Sequence, residues 1–285
     1  MNILIHILFI AMALLLLWCL MLLPRKGQSG WEKLADVRYA HRGLHDMSQN
    51  IPENSLTAFR KAVENGFGAE LDVHLMADGH LAVVHDSDLS RVCGKQAVIE
   101  NLRLEDLKDY PLKGNGETIP LLQDVLALFE RKTPLIVELK VEHGNAAALT
   151  DAAMALLKDW NGSYCIESFH PAALLHLKKR YPSVIRGQLS ENFMRAKEAG
   201  AITWPIRAIL TLLLTSFLTR PDFIAYNYID RACPSLRLMK RLYGVHEVGW
   251  PIRSREILER LEKEGVMPIF EGFLPDKALH VSASR

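Results

Sequence analysis

The chain has 285 residues and a formal net charge of +1, with Lys+Arg 34 against Asp+Glu 33. So even a balance gives no basic field, which argues against a nucleic-acid partner. The length suffices for one large core, and two smaller domains would fit it as well. Of the four cysteines, Cys19, Cys93, Cys165 and Cys233, none forms a close CxxC pair, so no structural zinc site is expected. They read as ordinary buried thiols.

Ile3 to Leu23 is apolar apart from His6, and about 20 apolar residues suffice to cross a bilayer. No basic residue precedes the run, and it exits through Leu22-Leu23-Pro24 rather than small residues. A cleaved signal would show the opposite on both counts. Trp18 directly before Cys19 also argues against a lipoprotein. The segment 1–24 is therefore expected to be a retained single-pass transmembrane anchor, 25–36 a linker, and 37–285 the folded domain. Arg25, Lys26, Lys33 and Arg38 follow the span, which places that domain in the cytoplasm by the positive-inside rule.

Beyond Gly30, β-rich apolar runs alternate with helical patterns. The expected strands are Val37–Ala40, Ala69–Val73, Leu81–Val84, Leu135–Leu139, Tyr164–Ser168, Val184–Leu189, Phe223–Tyr226, Glu247–Trp250 and Met267–Phe270. Asp78-Gly79 signals a tight hairpin turn between the second and third. If the third is only a hairpin extension, eight strands remain. Helices are expected over Ser55–Asn65 (capped by Asn54 and Gly66), Leu121–Arg131, Ala146–Lys158, Ala172–Arg180, Ser235–Leu242 and Arg255–Glu264. Such alternation implies a parallel sheet. Counting leaves a closed barrel and a doubly wound open sheet equally possible.

The chemistry gathers at strand ends. Glu70 and Asp72 are spaced i, i+2, so both carboxylates share one face of a strand. Glu138 is a third charge in an apolar strand, and a buried charge needs a partner or a metal. Three converging carboxylates suit a hard divalent cation, Ca²⁺ or Mg²⁺. His41 and His85, each at a strand end, are the natural proton carriers near neutral pH. Arg42 and Lys140 bring positive charge beside the carboxylates, a combination that fits phosphate oxygens. Asp86 is placed to orient His85.

The run His41-Arg42-Gly43, Pro52-Glu53-Asn54-Ser55, Ala58-Phe59, Glu70-Leu71-Asp72-Val73, Asp78-Gly79 and His85-Asp86, with Leu89 and Arg91, resembles the glycerophosphodiester phosphodiesterase family in order and spacing. Glu138-Leu139-Lys140, Ser168-Phe169 and Trp250 extend the resemblance almost to Phe270. It implies a (β/α)8 TIM barrel with its site at the C-terminal strand ends. It further implies a metal held by Glu70, Asp72 and Glu138, an acid–base pair in His41 and His85, and phosphate binding by Arg42 and Lys140. Trp250 would pack against the glycerol or the leaving group. The implied reaction is hydrolysis of a glycerophosphodiester to glycerol 3-phosphate and an alcohol, by way of a cyclic phosphate.

The chain departs from the family pattern twice. Pro251-Ile252-Arg253 replaces a Thr-Val-Asn run, and Phe270-Glu271-Gly272 replaces a Thr-Asp pair. Neither falls on a proposed metal or proton residue, so both are expected to alter only the substrate pocket. Two other functions remain in view: a lysophospholipase D acting on membrane lysophospholipids, and a catalytically inactive, membrane-tethered binding module. Finally, Ala201–Thr219, with Trp204, Leu212, Leu213, Leu214, Phe217 and Leu218, is too short to span a bilayer. It reads as an interfacial segment or, equally, as a barrel helix buried against the sheet.

Overall fold

The structure, a computed structural model, describes residues 2–27, 30–195 and 202–276. Linker residues 28–29, Ala201 of the apolar segment and the last nine positions of the expected domain, 277–285, lie outside the described residues. Among the described residues nine strands form: β1 (Tyr39–Ala40), β2 (Gly68–Leu75), β3 (Leu81–Val83), β4 (Leu135–Leu139), β5 (Tyr164–Ser168), β6 (Arg186–Ser190), β7 (Phe223–Asn227), β8 (His246–Ile252) and β9 (Val266–Phe270). β1 pairs in parallel with both β2 and β9, and the remaining parallel pairs run in sequence from β4 to β9. That ring is a closed TIM barrel of eight parallel strands, which removes the open-sheet alternative. β3 is antiparallel to β2 and lies outside the ring, the hairpin extension that Asp78-Gly79 signals. Gly79 adopts the positive φ of 89° that this turn requires.

Among the described residues seven helices of eight or more residues connect the ring strands: Leu56–Glu64, Leu122–Phe129, Ala146–Leu157, Pro171–Arg180, Trp204–Thr211, Pro234–Tyr243 and Arg255–Lys263. The first corrects one expectation. Ser55, not Asn54, caps it, with Oγ accepting from the Ala58 amide. Asn54 stands at φ 53° and turns its amide toward the barrel instead.

Alternation along the strands divides the core in two. Leu71, Val73, Val137 and Ile166 pack outward against Phe59, Leu126, Leu149 and Leu174 of the helices. Tyr39, Ile136, Cys165, Phe223, Val248 and Ile269 fill the barrel floor, as inward side chains of such barrels do. Gly187 belongs to this layer, since an added Cβ would stand 2.1 Å from the Phe223 ring. Leu34, from the short helix Glu32–Ala35 in the expected linker, joins the same cluster.

The helix Asn2–Met21 includes a 19-residue stretch, Ile3–Met21, with mean hydropathy 2.8 and none of it buried. It is long and apolar enough to cross a membrane. Its end is fixed to the barrel. Leu22 is fully buried with Leu213, Ile224, Tyr226 and Met239. Trp18 Nε1 donates to Ser235 Oγ at 3.2 Å, and the Tyr243 hydroxyl donates to the Cys19 carbonyl at 2.8 Å. Two of the basic residues after the span also turn inward: Arg38 pairs with both Glu262 oxygens, and Arg25 lies 3.6 Å from Asp222.

Candidate active site

β2 sets Glu70 and Asp72 on its inner face, as the i, i+2 spacing requires. Register then places Glu138 of β4 directly beside Asp72. All three are buried, and each offers a carboxylate oxygen within 4.8 Å of the others. Such a trio repels itself. Burial, and after it the charges of Asp72 and Glu138, push Glu70 well above the usual carboxylate range. Burial also lifts Glu138, against the pull of Lys140. Asp72 goes the other way: burial opposes its ionisation, but Lys140, His85 and Arg42 together hold it well below the normal range. Lys140 Nζ lies 2.9 Å from Asp72 and 2.9 Å from Glu138, one positive charge among three carboxylates. The remaining imbalance and the all-oxygen donor set fit a hard divalent cation.

Arg42 and Gly43 form a turn with φ of 55° and 78°. This conformation aims the Arg42 amide at Glu70 Oε2, 3.0 Å away. A left-handed arginine is strained, and such strain recurs at functional sites. Gly43 is required by crowding as well, since a Cβ there would come within 3.0 Å of the Ala58 backbone. The Arg42 side chain gives Nη1 to Glu53 at 2.8 Å, while Nε stands 3.5 Å from Asp72. The Asn54 amide adds a hydrogen bond to Asp72 Oδ2 at 2.8 Å.

His41 enters from β1. Its backbone amide bonds to the Phe270 carbonyl at 2.8 Å, and its Nε2 lies 3.9 Å from Glu70. Nδ1 contacts Glu271, and Glu271 accepts from Arg253 Nε at 2.6 Å. This corrects the expectation that the two departures leave the proton residues alone. Arg253 of the β8 end and Glu271 of the β9 end are one ion pair, and they hold a proposed catalytic histidine. Burial lowers the His41 pKa; the Glu271 hydrogen bond opposes that fall and the Arg42 charge adds to it.

His85 Nδ1 bonds to Asp86 at 2.6 Å, and Asp86 is held by Arg91. Arg91 also reaches both oxygens of Glu53, at 2.7 and 2.8 Å. One ionic chain thus runs from His85 to Arg42. Beneath it, buried His74 contacts Glu100 through Nδ1 and bonds the His85 carbonyl through Nε2 at 3.2 Å. Trp250 lines a cavity of about 400 Å³ together with His41, Arg42, Glu53, Asn227 and Glu271. Its Nε1 has no hydrogen-bond partner among the described residues. Phe169 stacks edge-on to Trp250 at 5.6 Å and to Phe193 at 5.9 Å, extending an apolar wall from the cavity.

Residues 41–271 match the model of the glycerophosphoryl diester phosphodiesterase family. The chain belongs to this family. Its members are phosphoric diester hydrolases that depend on a metal, and the Glu70–Asp72–Glu138 trio is suited to one. A glycerophosphodiester phosphodiesterase of Bacillus altitudinis is 34% identical over 258 residues, 85% of this chain and 96% of that one. Another, of Caldanaerobacter subterraneus subsp. tengcongensis, is 30% identical over 238 residues, 80% and 90% of the two chains. Among solved structures, a phosphodiesterase of Oleispira antarctica in complex with the product sn-glycerol-3-phosphate superposes with a TM-score of 0.66 at 22% identity, covering 82% of this chain and 92% of that one.

Three residues of this candidate site escaped the sequence reading. Glu167 of β5 pairs in register with Glu138, is buried, and leaves Oε2 without a hydrogen-bond partner among the described residues. Burial, then the neighbouring Glu138 and Asp72, push it well above the usual carboxylate range. A signal existed, because Glu167 stands in an apolar strand just as Glu138 does. His74 continues the alternation of Glu70 and Asp72 and was equally legible. For Glu271 the only signal was its departure from the family pattern.

Proposed function

We propose that this chain hydrolyses glycerophosphodiesters to glycerol 3-phosphate and an alcohol, with Glu70, Asp72 and Glu138 holding Ca²⁺ or Mg²⁺. The observation that carries the reading is the buried carboxylate trio with Lys140 inside it and His41 directly above. A phosphodiester resists attack because its negative charge repels the nucleophile. The bound ion would supply Lewis-acid neutralisation of that charge. Arg42 and Lys140 bind the phosphate oxygens and stabilise the charge that grows on them in the transition state.

One histidine takes the proton of the glycerol 2-hydroxyl as its oxygen bonds to phosphorus, and the other protonates the departing alcohol oxygen as that P–O bond breaks. Water then bonds to phosphorus, the bond to the 2-oxygen breaks, and the two histidines exchange roles. Glu271 and Asp86 each occupy an Nδ1 in this scheme, which leaves each Nε2 for proton transfer. Trp250 packs against the glycerol or the leaving group.

In the same reading, 1–24 anchors the protein in the membrane, 25–36 links the anchor to the barrel of 37–285, and the barrel faces the cytoplasm. A lysophospholipase D activity is the second reading. The apolar wall from Trp250 through Phe169 to Phe193 supports it, since an acyl-bearing substrate needs apolar surface beside the site. Purified full-length protein, offered glycerophosphocholine, glycerophosphoethanolamine and lysophosphatidylcholine with and without chelator, tests both. Glycerol 3-phosphate released from the first two, and lost on chelation, is the expected result. Turnover of lysophosphatidylcholine alone would favour the second reading, and turnover that survives exhaustive chelation would remove the metal.

A further inference from the structure

The crossover between β6 and β7 carries more apolar surface than a barrel helix needs. Trp204–Thr211 has no buried residue. Trp204 is 68% exposed and Ile206 48%, and Ile209, Phe217 and Leu218 are exposed as well. In the following stretch Leu213, Ser216 and Thr219 are buried, and Leu212 and Leu214 pack partly buried against the same cluster as Leu213. The segment is therefore split, with Leu212, Leu213 and Leu214 against the barrel and Trp204, Ile206, Ile209, Phe217 and Leu218 facing out.

Leu213 is also what fixes this patch in place. It shares one buried cluster with Leu22, the first residue after the apolar helix. The exit of the span thus sits against the segment that bears the exposed apolar side chains. The first half of the segment lies at the mouth end of the barrel: Ser190 Oγ of the β6 end donates to the Leu210 carbonyl at 3.0 Å, and the Tyr226 hydroxyl near the β7 end donates to the Thr211 carbonyl at 3.0 Å. The second half runs down to the opposite end, where the Thr219 carbonyl accepts from Arg186 Nε at the start of β6 at 2.9 Å. On the neighbouring helix Pro234–Tyr243, which holds Trp18 and Cys19, Arg237 and Arg241 are exposed. Tryptophan, aliphatic side chains and nearby arginines are the composition of a membrane interface, not of a water-facing helix.

We propose that Trp204, Ile206 and Ile209 seat in the interfacial layer of the same bilayer that the N-terminal helix crosses. The inference rests on the anchor reading above and adds a second, fixed contact at the rim of the barrel mouth. A tether alone would let the barrel tumble. The buried cluster of Leu22 and Leu213, together with an immersed rim, holds one side of the mouth at the lipid surface. Phe193, the outer end of the apolar wall, lies on this side, and its carbonyl accepts from Arg207 within the segment.

The test uses the full-length protein in nanodiscs of phosphatidylcholine and phosphatidylglycerol, prepared with lipids brominated either near the ester carbonyl or near the chain end. The difference in emission between the native protein and Trp204→Phe isolates Trp204. An added tryptophan in place of exposed Phe9, in the middle of the span, reports on the anchor. An interfacial helix sits roughly 5–10 Å into the headgroup and acyl boundary, so the carbonyl-side lipid should quench Trp204 by roughly half, and the chain-end lipid should quench Phe9→Trp. Quenching of Phe9→Trp with Trp204 untouched by either lipid overturns the inference and leaves the anchor standing. If neither is quenched, the anchor reading falls and the rim contact with it.

Discussion

Replacing Glu271 with glutamine probes the contact that the family pattern did not announce. Burial alone would raise this carboxyl; the hydrogen bond to His41, with help from Arg253, instead brings it from 4.5 down to about 2. At ~1.36 kcal/mol per pKa unit this corresponds to ~3.4 kcal/mol of native-state stabilisation. Arg253 is 63% exposed, so its share is screened, and ~2 kcal/mol is the expected loss at pH 7. For a domain of this size that lowers Tm by roughly 4–8 °C. The folded pKa is depressed, so the contribution is complete above about 4.5 and disappears as pH falls to about 2. The gap in stability between native protein and variant should close over that window. The effect on catalysis should be larger than the effect on stability. The carboxylate fixes the proton on His41 Nδ1 and leaves Nε2 free to accept one. A glutamine amide that donates to Nδ1 favours the opposite tautomer. We expect kcat on glycerophosphocholine to fall ~10²–10⁴-fold with KM little changed. Without the carboxylate, burial acts on His41 unopposed, so the acid limb of kcat/KM should move to lower pH in whatever activity remains. A variant with kcat within threefold of native and an unmoved acid limb would refute the role assigned to Glu271.

Three further outcomes follow from the site. Ca²⁺ or Mg²⁺ at about 100 times its Kd should stabilise the native protein against thermal unfolding by ~2.7 kcal/mol, and Glu70→Gln should abolish that gain; protection that persists in the variant would place the ion elsewhere. Glu167→Gln should fold normally, and because a raised folded pKa costs the native protein stability as pH rises above the unfolded value of 4.5, the variant should gain on the native protein with rising pH; a difference that does not change with pH would show that Glu167 is ionised in both states. His41→Ala and His85→Ala should each lower kcat ~10²–10⁴-fold with circular dichroism unchanged; an active double variant would remove both from proton transfer.

Much of this protein was legible before its structure. The β-rich runs separated by helical patterns marked nine strand candidates, eight of them if Leu81–Val84 was a hairpin extension, because period-2 and period-3.6 signals are local. The i, i+2 spacing of Glu70 and Asp72 fixed their common face for the same reason. The trio with Glu138, and the positions of His41 and His85 at strand ends, could be listed from residue type and order alone. Closure of the ring could not, since the pairing of Tyr39 with both Gly68 and Ile269 joins residues at opposite ends of the chain. Asn54 shows local chemistry losing to tertiary demand: an ordinary helix cap by sequence, it is drawn to the charge of Asp72 and leaves the cap to Ser55. The apolar segment after β6 shows the reverse. Its composition suited core and interface alike, and only the tertiary cluster around Leu213 and Leu22 separates the buried residues from the exposed ones. The grip on His41 was the most hidden feature. Arg253 and Glu271 are distant in sequence both from His41 and from each other, and they meet because the barrel returns β9 to the side of β1. Contacts made by closing a ring depend on register and handedness around the whole barrel, and no window of sequence contains them.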